Sequence, residues 1–528
     1  MNLTKAGIKD RHPWEEKNIK LPGYDVDAVT RQTMEQPQWI HFGAGNIFRG
    51  FIGSIAQKLL NKNEMDTGII AIETFDFDII DKIYAPYDNL TLNVMMDPHS
   101  NLDIEVLAGI TEGIKATDHE RLKQIAVSPS LQIMSFTITE KGYAVKGIDG
   151  ALMKAVQDDI EAGPSAPKHA MSITASMLLS RYNAGGTPLA VVSMDNCSHN
   201  GEKLQAGVMT IARAWVEKGF ADDGFLQYLD QKVSFPWSMI DKITPRPSDQ
   251  VKSRLEQMGI EKMDAVVTGK NTYIAPFVNA EIPEYLVIED DFPNGRPPLE
   301  KAGVYMATRE IVNKAETMKV TTCLNPLHTA LAVFGCLLGY TTIWEEMQDK
   351  DLSSLVLKIA EEGMKVVIDP GIIHPQDFVA EVIEQRLPNP NIPDAPQRIA
   401  TDTSQKIPVR YGETIRAYLK SGTLDASSLC AVPLVIAGWL RYLLAVDDNG
   451  NPFTPSADPM LGELQAMLKG IEVGKPETAD GKLAAVLSNE SLLGVDLAAA
   501  GLDRKVEAYF KTMLKGPGAV REALKTIQ

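Results

Sequence analysis

Over its first half the chain alternates short apolar runs of strand length with longer stretches in which apolar residues recur at helical spacing. Ile69–Ile72, Leu90–Met95, Ile104–Leu107 and Leu131–Thr137 are runs of the first kind. A further one, Leu189–Asp195, lies between helical patterns near His169–Tyr182 and Glu202–Lys218. This rhythm predicts a βαβ-type sheet. Ahead of it, residues 1–35 read as an extended lead-in, with Pro13 and a Leu21-Pro22-Gly23 turn. Residues 233–288 mix strands and turns, with breakers at Pro245, Pro247 and Pro283. Asp290–Pro298 is then dense in residues that end regular structure. Past it the pattern changes. Apolar positions three and four apart dominate 299–318, 326–341, 352–367, 411–420, 429–446, 459–470, 480–488 and 503–513, the mark of a mostly helical region. The expected division is an α/β domain with its lead-in over 1–297 and a mostly α-helical domain over 298–528.

The sharpest local signal is Trp39–Phe51, WIHFGAGNIFRGF. An apolar strand runs into Gly43-Ala44-Gly45, then Asn46, then the helical pattern Ile47, Phe48, Phe51, Ile52 and Ile55. Gly43 permits the sharp turn, Gly45 lets backbone approach a ligand, and the helix start offers N–H groups to a pyrophosphate. The third glycine of the usual fingerprint is Phe48 here, with Gly50 two residues on. The next apolar run, Gly68–Glu73, reads as a second parallel strand. A carboxylate at its end, Glu73, suits the adenosine ribose hydroxyls of NAD and would repel the extra phosphate of NADP. The alternative for Glu73 is a solvated strand-end acid. Together these features predict a Rossmann-type NAD-binding domain, with Gly43, Gly45, Asn46, Ile47 and Glu73 as cofactor residues.

Composition narrows the classes. At 528 residues, 44% apolar and 23% charged, the chain is an ordinary globular protein too long for one core. A net charge of −17 argues against a nucleic-acid or anionic-membrane partner, either of which needs a basic face, and leaves room for a local basic pocket for an acidic substrate. The four cysteines, Cys197, Cys323, Cys336 and Cys430, are scattered without metal spacing, so reduced thiols and no metal are expected. The N-terminus lacks an apolar targeting core. The longest apolar runs, Ala330–Tyr340 and Leu429–Leu440, fall short of the ~20 residues of a membrane span and read as buried helices. A cytoplasmic enzyme for a small molecule, monomeric or a small homo-oligomer, is the expectation.

Four further segments carry candidate chemistry. Ser135–Tyr143 brings Thr137, Thr139 and Glu140 to a strand end, where an open α/β sheet places its ligand crevice. Val191–Gly201 delivers Asp195, Asn196 and Asn200 in the same way; a primary amide can hold an alkoxide without changing charge, whereas Asn200-Gly201 reads as a turn. Phe235–Asp249 sets Asp241 and Lys242 among apolar neighbours, as structural pair or as acceptor of a substrate hydroxyl. In Glu316–Gly335, Lys319, Asn325 and His328 are polar residues in an apolar stretch, with Asn325 and His328 on one helix face. A lysine in a partly dry site beside an oxidised nicotinamide titrates low and can exchange a proton with an alcohol. The alternative has Lys319 at a helix end, Asn325 capping before Pro326, and His328 in the core.

Taken in order, GAGNIFRGF, TEKGY, SMDN…NG, FPWSMIDKITP, VIEDDFPNGRP and the Lys319…Asn325-x-x-His328 signature make the chain resemble the polyol-specific long-chain dehydrogenases, the mannitol dehydrogenase family. The likeness runs from about Leu21 past Arg410. It implies a Rossmann-type domain and a helical domain, a site in the cleft between, and no metal. By resemblance Lys319 is the general acid/base, Asn196 and Asn325 polarise the reacting oxygen, and His328 orients the substrate. Glu316 exchanges the proton with solvent, and Asp241, Arg398 and Lys406 contact substrate hydroxyls or the far end of the sugar chain, where Arg398 and Lys406 would suit a substrate carboxylate. The implied activity is NAD(H)-dependent interconversion of a linear keto-sugar acid and its aldonate, fructuronate and mannonate being the expected pair. Tagaturonate reduction, mannitol or other polyol 2-dehydrogenation, and a non-catalytic NAD-binding sensor are the alternatives. Two departures stand out. Five residues separate Lys319 from Asn325 where the family has four, and one extra residue would turn Lys319 by about 100° on a helix. Arg49-Gly50-Phe51 replaces the usual Arg-Ala-His.

Overall fold

The computed structural model describes residues 1–147 and 149–527. Its backbone divides by contacts into two compact units, 1–96 with 101–313, and 97–100 with 314–528.

The first unit is built on six parallel strands: β1 (Trp39–Phe42), β2 (Ile69–Glu73), β3 (Ile110–Lys115), β4 (Ile133–Phe136), β5 (Leu189–Ser193) and β6 (Val233–Ser234). Their order in the sheet is β3-β2-β1-β4-β5-β6. That is the doubly wound arrangement whose order reverses between β1 and β4. Both faces are covered, which is why the strands read as unbroken apolar runs. Ile40, Phe42, Met134 and Phe136 pack on one side with residues of the helices Ala170–Asn183 and Asn200–Glu217. Trp39, Ala71, Ile133 and Val192 pack on the other with Ile55 and Leu59 of the helix Gly53–Asn61.

Several expectations need correcting. Leu90–Met95 and Ile104–Leu107 do not join this sheet; Thr91–Met96 and Leu102–Leu107 pair antiparallel with each other, and the first pairs parallel with Phe277–Glu281. The sheet's outer strand is instead Ile110–Lys115, whose mixed sequence hides its role. The lead-in is not extended either. Asp25 accepts from Ala28 N at 2.9 Å and caps a helix, Val26–Glu35, while Trp14 is buried on a shorter one. The boundary between units also lies beyond residue 297. Leu299 is fully buried in the sheet unit's core, and Tyr305–Ala307 pairs parallel with Tyr285–Glu289. The breaker-rich segment is a tight turn inside the first unit, where Arg296 pairs with Asp290 at 2.7 Å.

The second unit is helical around Asn325–Leu338, Lys350–Met364, Ala431–Leu443 and Asp503–Met513. Every residue of Ala431–Leu443 is buried, Arg441 included, because its guanidinium donates to the carbonyls of Met513, Val446 and Asp447. The continuous helical run Arg309–Leu338 is long and apolar enough to cross a membrane, but 72% of its most apolar window is buried inside the protein, as in a core helix.

Candidate active site

In the sheet unit, the turn after β1 is fixed by its surroundings. Gly43 has a φ of +99°, and a Cβ there would lie 2.1 Å from the Thr137 carbonyl oxygen. Its N–H donates to Ile72 O at 2.9 Å. Gly45 differs: its φ is ordinary, and a Cβ would meet nothing within 4 Å. Open space therefore lies over Gly45, where the helix begins at Asn46 with its first N–H groups lacking intrahelical acceptors. A helix start beside open space can take an anionic group. The position of the missing third glycine is occupied by Phe48, stacked on His41 at 4.0 Å and fully buried. Phe48–Ile52 forms a π turn, and Gly50 lies against Val278, where a Cβ would come within 2.7 Å.

Glu73 is not solvated. One carboxylate oxygen accepts from Ala44 N at 3.0 Å, and the other from Phe75 N and Asp76 N at 2.8 and 3.1 Å. It pins the glycine turn to the end of β2. Thr137 Oγ1 lies 2.8 Å from His41 Nε2. Thr139 has a φ of +64°, held there because its N–H and that of Ile138 both donate to the Asp195 carboxylate. Glu140 is exposed and pairs with Lys203. Asp195, which also accepts from Tyr143 OH at 2.5 Å, thus ties the ends of β4 and β5 together. Its neighbour Asn196 is exposed in that loop. Asn200 is fully buried, its amide bonded to Asp195 O and to Ser238, so it braces the loop rather than forming a free turn. Ser238 begins the strand that ends at Asp241, which is buried. Lys242 pairs with Glu284 at 3.1 Å. A groove of about 730 Å³ on this unit opens beside Gln38, Asp66 and Gln132, at the amino ends of the strands and away from the glycine turn.

In the helical unit, the additional residue between Lys319 and Asn325 has a structural answer. Arg309–Met318 is α-helical, Lys319–Cys323 is a π turn with Leu324 N bonded to Lys319 O at 3.2 Å, and the helix resumes at Asn325. The π turn takes up one residue, and Leu324, at φ of −128°, bends the chain before the helix resumes. Lys319 heads that turn at 1% exposure, and Glu316 precedes it by one turn. Asn325 and His328, both half-buried, share the first turn of the resumed helix. His328 Nε2 lies 3.2 Å from Asp394 Oδ2, and Asp394 Oδ1 accepts from Arg398 Nε at 2.7 Å. Burial, the largest effect, holds His328 below the usual imidazole range; Asp394 opposes it, and Arg410 and Arg398 reinforce it. Arg398 is consequently not a free cation. Its side chain is 69% exposed and committed to Asp394. Lys406 donates to Ile399 O at 2.8 Å, and burial followed by the Arg410 charge lowers its pKa to about 8. Behind Asp394 lies Glu346, fully buried, its carboxyl raised far above the normal range by burial and by Asp394.

Two residues of this site escaped sequence reasoning. Asp394 sits in a proline-rich loop that reads as a connector. Arg410, in a second π turn (Pro408–Gly412), donates to Asn325 O at 3.4 Å and to Thr329 Oγ1. Its only sequence signal was a spacing of four from Lys406.

Comparison with known proteins agrees with this architecture. Residues 37–301 match the model of a mannitol dehydrogenase Rossmann domain, and 312–514 that of a mannitol dehydrogenase C-terminal domain. A D-mannonate oxidoreductase of Thermotoga maritima is 51% identical, covering 100% of this chain and 99% of that protein. A substrate-free D-sorbitol dehydrogenase structure superposes with a TM-score of 0.80 at 26% identity, over 96% of this chain and 97% of the other. A Pseudomonas fluorescens mannitol 2-dehydrogenase, solved as a ternary complex with NAD and D-mannitol, gives 0.72 at 25% identity, over 100% and 99%.

Proposed function

The chain belongs to the mannitol dehydrogenase family of oxidoreductases, and on that premise we propose that it reduces D-fructuronate to D-mannonate with NADH, and runs the reverse with NAD. The observation that carries this is the 51% identity to a D-mannonate oxidoreductase across both chains, about twice that to the sorbitol and mannitol dehydrogenases of known structure. The glycine turn supports the cofactor assignment, because open space lies over Gly45 beside the helix start that would face a pyrophosphate. Around it, Asn46, Ile47, Glu73, Thr137, Thr139 and Glu140 border or brace the cofactor end of the sheet.

NADH, when bound, would supply the hydride for the ketone carbon. Lys319, nearly dry at the head of its π turn, gives the proton to the substrate oxygen. The Asn325 amide donates to that oxygen as its charge grows, and Asn196 is the sheet unit's candidate for the same task. Glu316 returns a proton to Lys319. With Nε2–H facing Asp394, neutral His328 keeps Nδ1 as an acceptor for a substrate hydroxyl. Asp241 is a second hydroxyl acceptor. A cytoplasmic location belongs to the same proposal, and cell fractionation tests it.

The deciding experiment follows NADH and NADPH at 340 nm with D-fructuronate, D-tagaturonate and D-fructose. Turnover with NADH and fructuronate is expected. The rival reading, polyol 2-dehydrogenation, is favoured by the two solved neighbours. NADH oxidation with fructose alone would establish it, and silence throughout would point to a sensor.

A further inference from the structure

The basic groups of the helical unit are unequal, and their differences bear on how a sugar acid is held. Arg398 already has a carboxylate partner in Asp394. Arg410 does not: among the described residues, no carboxylate lies within ion-pair distance of it, nor of Lys406 one turn earlier. The acids nearest Lys406 are Asp402 and Asp458, and the latter's carboxylate is taken by Thr403 Oγ1 and by the N–H and hydroxyl of Ser404. In a protein of net charge −17, two neighbouring cations without an acid between them are conspicuous.

Burial is the main influence on both and disfavours their charge, and the Arg410 charge lowers Lys406 further. A guanidinium does not shed its proton, so the cost of holding Arg410 there persists until an anion arrives. Its geometry leaves room for one. Nη1 is used on Asn325 O and Thr329 Oγ1. The Nε–Nη2 edge makes no hydrogen bond among the described residues, and neither atom is sealed from solvent. That edge is the fork that grips a carboxylate with two parallel bonds. The arginine is also tied through Asn325 O to the turn that carries Asn325 and His328.

We propose that Arg410, seconded by Lys406, receives the carboxylate of the keto-acid substrate, while Arg398 serves to hold Asp394 against His328. This rests on the proposed keto-acid reductase activity and adds to it the groups that tell a sugar acid from an uncharged ketose. In fructuronate the carboxylate and the reacting carbonyl lie toward opposite ends of the carbon chain, so the acid site must be separate from the proton donor. Lys319 and Arg410 occupy different π turns that pack against each other.

The test compares wild type, Arg410→Gln, Arg410→Lys and Lys406→Gln. The readouts are kinetics with D-fructuronate and competition by D-mannonate against competition by D-mannitol. Absence of fructuronate turnover in wild type would remove the activity reading itself, before any variant is made. If wild type is active, Arg410→Gln should raise KM for fructuronate and the mannonate inhibition constant on the order of 100-fold. The mannitol inhibition constant should move less than about threefold, and Arg410→Lys should recover part of the loss. Equal loss for mannonate and mannitol would reduce Arg410 to a brace and overturn the proposal, as would an unchanged fructuronate KM. Should Arg410→Gln fail to fold, Lys406→Gln carries the same comparison: selective weakening of mannonate supports the site, and equal effects on the two ligands refute it.

Discussion

The two glycines of the turn after β1 have different jobs, and alanine at each separates them. At Gly43 the added Cβ would sit 2.1 Å from Thr137 O and 2.9 Å from its carbonyl carbon, on a backbone with φ of +99°. The left-handed conformation alone costs roughly 1–2 kcal/mol for a residue with a Cβ. Relieving the overlap must also push β1 from β4 by about an ångström in a close-packed interior, worth a further 1–3 kcal/mol or so. Gly43→Ala should thus lose about 3 kcal/mol and lower Tm by roughly 3–5 °C. At Gly45 no atom lies within 4 Å of the added Cβ and φ is ordinary, so folding should barely notice the change. The methyl instead enters the space assigned to the pyrophosphate. Thermal unfolding of the two variants, with NADH titrated by fluorescence, checks both halves. Gly45→Ala should keep the wild-type Tm to within about 2 °C and bind NADH at least about tenfold more weakly. Wild-type NADH affinity in Gly45→Ala would show that this turn is not where the dinucleotide lies.

Other consequences follow from the helical unit. Glu346 is protonated when folded, with its pKa raised, so the fold binds a proton that the unfolded chain gives up above about pH 4.5. Its favourable contribution is full at lower pH and declines as pH rises toward the folded pKa. Glu346→Gln should therefore gain stability over wild type in urea unfolding as pH rises above about 4.5, and a difference that does not change with pH would mean the carboxyl is ionised. Asp394→Asn removes the charge that holds His328; kcat should fall on the order of tenfold with NADH affinity intact, and full activity would deny Asp394 any part in orienting the histidine. Lys406, flanked by Arg410, Arg398, Asp402 and Asp458, loses its charge near pH 8, so KM for fructuronate should climb above that pH. Lys406→Arg should flatten the climb in a KM profile, and an identical profile would remove Lys406 from substrate binding.

Much of the sheet unit was legible because its features are local. A buried parallel strand, a glycine turn and an apolar helix occupy one contiguous stretch, Trp39–Phe51. Strand partnership was not local. Leu90–Met95 has the apolar content of a central strand, yet it pairs on one side with Leu102–Leu107 and on the other with Phe277–Glu281, nearly two hundred residues away. Ile110–Lys115 was overlooked because Thr111, Glu112 and Gly113 dilute its pattern at the sheet's edge. Glu73 does end its strand, but backbone amides of the glycine turn and of the loop that follows it, a pairing invisible in the sequence, claim its oxygens. The odd spacing before Asn325 could be seen and not resolved. An apolar 3.6-residue pattern does not register a single π turn, since Met318, Thr322 and Cys323 remain buried either way. Asp394 and Arg410 owe their importance to what they face, which no spacing reveals.

The account turns on Lys319 as the proton donor to a reduced keto acid. The most direct measurement is NADH oxidation with D-fructuronate by Lys319→Ala, alongside its NADH dissociation constant. Turnover should fall by at least about a thousandfold while NADH binds as in wild type. Turnover within a few-fold of wild type would contradict it.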